Sequence, residues 1–452
     1  MASRKTQPGA LSAKLLKELN ADFVNSAQAV RMHNAVAETP VTKLALRRSV
    51  VTETDHSFSI HLDSWQVTNQ KSSGRCWLFA GLNLFRTGAM KKMKLKNFEF
   101  SQNHALFWDK MERANHFMEN IVATRKLDVA DREVAFLLSD PIGDGGQWNM
   151  FINVIRKHGA VPKSAMPETQ SSSSTRLMNR TLQEKLREAA RDLRSMAASG
   201  ADLRKLRNEK DKRLNTIYRI LCIHLGTPPC SFDWQWKDKD GKFHRDGKMT
   251  PRQFAKKYIT VPMDDYVCLV HDPRRGHAFG KTYTIKFLGN VVGGAPVIYL
   301  NVDIATMKQQ ALKALRAKEP VWMGCDVGKQ MHGSYGIWDA NLYDLDSVYN
   351  TEFTMTKADR LVYHQTQMTH AMLFTGVDVV GRKPRRWRVE NSWGSDKGRG
   401  QKGFYTMNDS WFDEYMFEIA ARKSRLPAKL QTALKKPPRV LPPWDPMGSL
   451  AV

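Results

Sequence analysis

One stretch constrains this chain more than any other: Gln70-Lys71-Ser72-Ser73-Gly74-Arg75-Cys76-Trp77-Leu78-Phe79-Ala80. Small polar residues ahead of Cys76 suit a turn. The run from Trp77 to Phe85 behind it is too apolar to face water and holds no proline. The pattern predicts a loop that delivers Cys76 to the first turn of a buried helix. Free N–H groups and a partial charge of about half an electron at a helix N-terminus favour thiolate over thiol. The thiolate is the nucleophilic form. Gln70 is close enough in sequence for its amide to fold back beside the sulfur and donate to an oxyanion. Most buried cysteines only pack, so a nucleophilic Cys76 requires a base elsewhere in the chain.

The last third supplies one. His370 heads the strand-like apolar run Thr369-His370-Ala371-Met372-Leu373-Phe374, and Trp387-Arg388-Val389-Glu390-Asn391-Ser392-Trp393-Gly394 is a short strand ending in Asn391 and Trp393. An asparagine that accepts a hydrogen bond from one imidazole nitrogen fixes the tautomer and leaves the other facing the sulfur. Trp393 is placed to cover that bond from water. Gly143-Asp144-Gly145-Gly146-Gln147-Trp148 reads as a tight turn opening a helix. Gly145 and Gly146 there let a backbone approach a bound peptide closely. With no GK[ST] following, the turn is not a phosphate loop. Cys325, in the buried-strand pattern 320–327, has no activating neighbours and reads as core.

Length and charge narrow the class. The 452 residues allow two or three domains, or one enzyme domain with a large insertion. No run reaches the roughly 18 apolar residues of a membrane helix, and the N-terminus lacks the apolar region of a secretory signal. The expectation is a soluble cytoplasmic protein with no membrane partner. Five cysteines, an odd number with none spaced as CxxC, argue against a disulfide framework or a zinc site. No metal and no cofactor is expected. A net charge of +25 makes nucleic acid or another polyanion a candidate partner.

Along the chain, Leu11, Leu15, Leu16 and Leu19 predict surface amphipathic helices within residues 1–50. Residues 55–70 alternate like a strand. Residues 101–138 read as two helices, the first starting at Ser101. After the polar segment 169–175 come helical runs broken at Ser199-Gly200, in which Leu182, Leu186, Ala189, Leu193 and Met196 form one narrow stripe. These runs read as a protruding hairpin. Residues 171–260 carry 21 Lys and Arg against 10 Asp and Glu, a candidate polyanion surface.

Taken together, Cys76, His370 and Asn391 with Gln70 resemble the papain-like cysteine peptidases. The stretches 70–80, 144–148, 369–374, 387–394 and the tail Pro443-Trp444-Asp445-Pro446-Met447-Gly448-Ser449-Leu450-Ala451 are similar to the bleomycin hydrolase family within them, and the tail carries that narrower likeness. Cys76 and His370 lie 294 positions apart, against roughly 130 to 150 in secreted relatives. That excess fits an insertion.

The resemblance implies an α+β, papain-like two-lobed fold. Residues 1–164 would form the N-terminal arm and helical lobe, 165–260 an inserted basic helical hook, 261–436 a β-rich lobe, and 437–452 an extended arm lying in the cleft. It implies Cys76 as nucleophile, His370 as general base and acid, Asn391 as its orienting partner, and Gln70 with the Cys76 N–H as oxyanion donors. It implies an aminopeptidase acting on peptides with a free N-terminus, whose α-amino group meets the carboxylate of the arm. That carboxylate would belong to Ala451 if Val452 is trimmed. It also implies a homohexamer and nucleic-acid binding in some members. The rival readings are a polyanion-binding oligomer with secondary peptidase activity, and an endopeptidase with an open cleft.

Overall fold

The computed structural model describes residues 9–62, 65–396 and 401–451, apart from the side chains of Leu450 and Ala451. The apolar run after Cys76 becomes the helix Cys76–Met93, buried without a break from Cys76 to Arg86. From Cys76 to Phe85 it is apolar apart from Asn83, because this part has partners all round. Helices Gln102–Ala123 and Trp148–His158 pack on one side, and strands His370–Val380 and Val321–Cys325 on the other. Gly81 permits the close approach of Trp148–His158, since a Cβ there would stand 2.5 Å from the Phe151 ring. As expected, Ser101 caps Gln102–Ala123, its Oγ accepting from the His104 N–H at 3.0 Å.

The strands form one large mixed sheet. Its path runs from the arm strand Arg439–Leu441 through Lys281–Ile285, Tyr299–Asn301, Tyr266–Val270, Met416–Arg422 and Val321–Cys325. It continues through His370–Val380, Lys383–Glu390, Phe404–Asn408, Ile337–Trp338 and Met331–His332. The central strands are apolar on both faces, as a sheet covered on both sides requires. Trp322, Ala371 and Leu373 join the core around the Cys76 helix. Their alternates Met323, Met372 and Phe374 join a second core with the helices Ile304–Arg316 and Asp409–Tyr415.

Two expectations are corrected. Among the described residues of the segment 55–70, only Ile60–His61 is a strand, pairing with Val377 and Gly376. The strand Val321–Cys325 already occupies that edge of the His370 strand as far as Phe374, so little edge remains. The helices Arg176–Ala198 and Leu203–Leu225 form the expected hairpin, but it does not protrude. Both pack along Gln102–Ala123, and Leu182, Leu186, Ala189 and Leu193 are buried in the main core. A narrow stripe suffices because Gln102–Ala123 is itself covered on nearly every side.

Glu418, in the strand Met416–Arg422, is fully buried beside Cys268 and Tyr299, and neither carboxyl oxygen has a hydrogen-bond partner among the described residues. Burial pushes its pKa from 4.5 up to about 8, and the Cys268 thiol lowers it less. The folded state therefore holds a proton that the unfolded chain releases near pH 4.5. The associated stability is present below that pH and is lost as pH rises through about 8. Glu418→Gln, which mimics the protonated acid, should match wild type in melting temperature near pH 5 and exceed it at pH 9. Equal losses for both chains between those pH values would contradict this account.

Candidate active site

Cys76 is the first residue of its helix, following Arg75 at the cap position. The loop before it is held by a carboxylate from the glycine-rich turn. Asp144 Oδ2 accepts from the Gly74 N–H at 3.0 Å and from the Thr175 hydroxyl. Its Oδ1 pairs with Lys110 Nζ at 2.7 Å and accepts from Asn179 Nδ2 at 2.7 Å. The Asp144 carbonyl accepts from Trp77 Nε1 at 2.6 Å. Burial alone would raise the Asp144 pKa, but the buried Lys110 charge and these donors hold it well below the carboxylate range. Asp144 is thus an ionised tie between the turn and both sides of Cys76.

Arg75 does not cap the helix. Its fully buried guanidinium donates to Glu168 at 3.0 and 2.7 Å and to Ser73 Oγ at 2.9 Å. Ser73 in turn meets Gln70 twice, its Oγ donating to the Gln70 carbonyl at 2.6 Å and its own carbonyl accepting from Gln70 Nε2 at 2.5 Å.

His370 opens its strand, and Asn391 follows Lys383–Glu390, the strand paired beside it. His370 Nε2 lies 2.9 Å from Asn391 Oδ1. The same oxygen accepts from the Ser392 backbone N–H at 2.8 Å. A backbone N–H can only donate, so the atom facing both groups is the carbonyl oxygen of the amide. It follows that Nε2 carries the proton and Nδ1 keeps its lone pair. Trp393 packs against the imidazole with ring centroids 5.1 Å apart.

The Ser392 hydroxyl donates to Gln70 Oε1 at 2.6 Å, and the Ser392 carbonyl accepts from the Gln70 N–H at 2.8 Å. Gln70 is therefore clamped through its oxygen and one Nε2 hydrogen, and the second Nε2 hydrogen has no partner among the described residues. Ser392 stands beside Asn391 in the sequence, but nothing in the sequence alone marks its hydroxyl as a partner of Gln70.

Cys76 and His370 are both buried, and the Ala371 N–H, next to the histidine, approaches the sulfur. Burial pushes the thiol up to about 11, outweighing the lowering by the Ala371 and Trp77 N–H groups. Burial also brings His370 down to about 4, against the raising effect of Asn391. The helix N-terminus favours the thiolate, as the sequence leads one to expect, and burial opposes it.

Gly145 and Gly146 are buried in the turn. The Gly145 carbonyl accepts from Arg113, and a Cβ on Gly146 would stand 2.5 Å from the Trp77 indole. These contacts give both glycines a packing reason. The arm returns to this region. Ser449 Oγ bonds the Met368 N–H and carbonyl at 3.1 Å each, two residues before His370. Ala451 ends the 3₁₀ turn Pro446–Ala451, whereas Val452 and its removal lie outside the described residues. Cys325 is buried core, as expected.

The model of the Peptidase C1-like family matches residues 10–448. Aminopeptidase C of Streptococcus thermophilus is 42% identical over 442 residues, covering 98% of this chain and 99% of that protein. Bleomycin hydrolase of Rattus norvegicus is 41% identical over 449 residues, covering 97% and 98%. The crystal structure of PepW from Lactobacillus rhamnosis superposes with a TM-score of 0.95 at 43% identity, covering 98% of this chain and all of that one.

Losing one hydrogen bond of this kind costs about 0.5–1.5 kcal/mol. Ser392→Ala should therefore slow Cys76-dependent amide hydrolysis by roughly 2- to 12-fold, with KM and melting temperature held. Because Ser392 acts here through Gln70, Gln70→Ala and the double variant should be equally slow. Additive losses would show that the hydroxyl acts elsewhere.

Proposed function

This chain belongs to the Peptidase C1-like family, and on that premise we propose that it removes residues from the free amino ends of peptides as a cysteine aminopeptidase. The enzyme is a cysteine-type peptide hydrolase with the papain-like α+β fold. One observation supports the exopeptidase reading: the described part of the arm is bonded, through Ser449, to the backbone of Met368, two residues before His370. A chain laid there blocks the cleft beyond one end of the substrate.

His370 Nδ1, free by the tautomer argument, takes the Cys76 proton as the sulfur attacks the carbonyl carbon. The Cys76 N–H at the helix start and the unused Gln70 N–H receive the oxyanion. Imidazolium then protonates the departing amine, leaving a thioester on Cys76. Water, deprotonated by His370, hydrolyses the thioester and restores the thiol. Gly145, Gly146 and Trp393 border the substrate, and the carboxylate of the arm meets its α-ammonium group.

We further propose assembly as a homohexamer in the cytoplasm. Leu15, Leu16, Leu19, Phe23 and Val24 of the helix Ala13–Asn25 are all exposed, which supports self-association. The free state of all five cysteines supports a reducing compartment. No helix among the described residues is long and apolar enough to cross a membrane. Nucleic-acid binding rests on the net charge of +25.

The test compares an aminoacyl fluorogenic amide with its N-acetylated form under reducing conditions. Wild type should cleave only the free amine, and Cys76→Ala neither. A chain ending at Lys436 should cleave the acetylated form as well. Cleavage of the blocked substrate by wild type would instead indicate an endopeptidase.

A further inference from the structure

The arm carries a second anchor, away from the catalytic residues. Asp445 is buried against Arg274, whose Nη2 lies 2.7 Å from Asp445 Oδ1. The same guanidinium is gripped by Asp272, with Nε at 3.0 and 3.1 Å and Nη2 at 2.7 Å. Asp272 is itself fixed by Asn301, which is fully buried. Asn301 Oδ1 accepts from the Asp272 N–H, and Asn301 Nδ2 donates to the Asp272 carbonyl, each at 2.9 Å. Asn301 Nδ2 also donates to the His277 carbonyl at 2.8 Å, closing the loop on both sides of Arg274. The result is a rigid cation held out to one carboxylate of the arm.

Asp445 also shapes the arm beyond it. Its Oδ1 accepts from the Met447 N–H at 2.9 Å, and its carbonyl accepts from the Gly448 N–H at 3.0 Å. Only the short turn Pro446–Ala451 separates this anchor from Ala451. At about 2 Å per residue the turn spans roughly 12 Å. Whatever fixes Asp445 therefore fixes how far the arm reaches toward Cys76.

We propose that Arg274, set by Asp272, is the positioning residue that latches the arm through Asp445, and so determines that substrates are measured from their amino end. The proposal rests on the exopeptidase reading above. Arg274 touches neither substrate nor reacting atoms; it acts only through the arm. The ion pair is suited to this because a charge-assisted bond between buried groups is directional and short. Without the guanidinium, Asp272 and Asp445 would face each other as two buried like charges and drive the arm away.

Two variants separate the latch from the turn. Asp445→Asn keeps an oxygen for the Met447 N–H but loses the ion pair, whereas Arg274→Gln leaves both acids unpaired. Each should raise the ratio of N-acetylated to free-amine hydrolysis at least about tenfold, a change worth about 1.4 kcal/mol and well within the cost of breaking a buried pair. Arg274→Gln should have the larger effect, and Arg274→Lys should restore most of the wild-type ratio. KM for the free amine should rise while kcat holds, a split that a general loss of folding would not produce. The chain ending at Lys436 serves as reference. If truncation raises the ratio but neither point variant does, the latch is overturned and the exopeptidase reading stands. If truncation also fails to raise it, both are overturned.

Discussion

The structure depends on one buried carboxylate, Glu390. It accepts from Arg86 Nη2 at 2.6 Å, Asn83 Nδ2 at 3.0 Å and Trp65 Nε1 at 2.8 Å. Asn83 and Arg86 belong to the helix that begins at Cys76, and Glu390 immediately precedes Asn391. The interaction thus fastens the strand that carries the orienting amide to the helix that carries the thiol. Burial raises the Glu390 pKa, and the Arg86 charge pulls it back. Such a pair adds little net stability over apolar packing, yet losing one partner leaves an uncompensated charge in the core. Its effect is on register: the two halves of the site can meet in only one way.

Around that fixed contact the site is built from amides and hydroxyls set by shared partners. Ser392 orients Asn391 with its N–H and Gln70 with its O–H, so the two amides are coupled through one residue. Ser73 and Arg75 hold Gln70 from the opposite direction, with Glu168 reaching in from the segment before the helical hairpin. Three stretches far apart in sequence therefore converge on one side-chain amide. This degree of constraint is what places a donor where charge will develop rather than where it already is.

Much of this was legible in the chain itself. The run after Cys76 could only be a buried helix, and His370 and Asn391 stood at strand ends where a side chain points out of the sheet. What could not be read were contacts that depend on distant pairings. Nothing in the sequence around Glu168 or Glu390 distinguishes them from solvated acids; only the fold brings Arg75 and Arg86 to them. The hairpin 176–225 looked solvated because its stripe is narrow and its charge is high, yet the helix Gln102–Ala123 needed covering on that side. The desolvation of the thiol was hidden for a related reason: a helix terminus is visible in sequence, whereas the burial that opposes its effect depends on what packs above.

The position of the arm in the chain has a consequence for biosynthesis. The strand Met416–Arg422 lies in the same sheet as the His370 strand, separated from it by Val321–Cys325, and it is made late. The helix Ala428–Ala433 follows, and then the arm strand Arg439–Leu441, which joins the sheet edge beside Lys281–Ile285. This strand and the arm, which is bonded two residues before His370, therefore leave the ribosome almost together. A nascent hydrolase with an unguarded cleft would endanger neighbouring unfolded chains, its own included. This order of synthesis leaves it scarcely any time in that state.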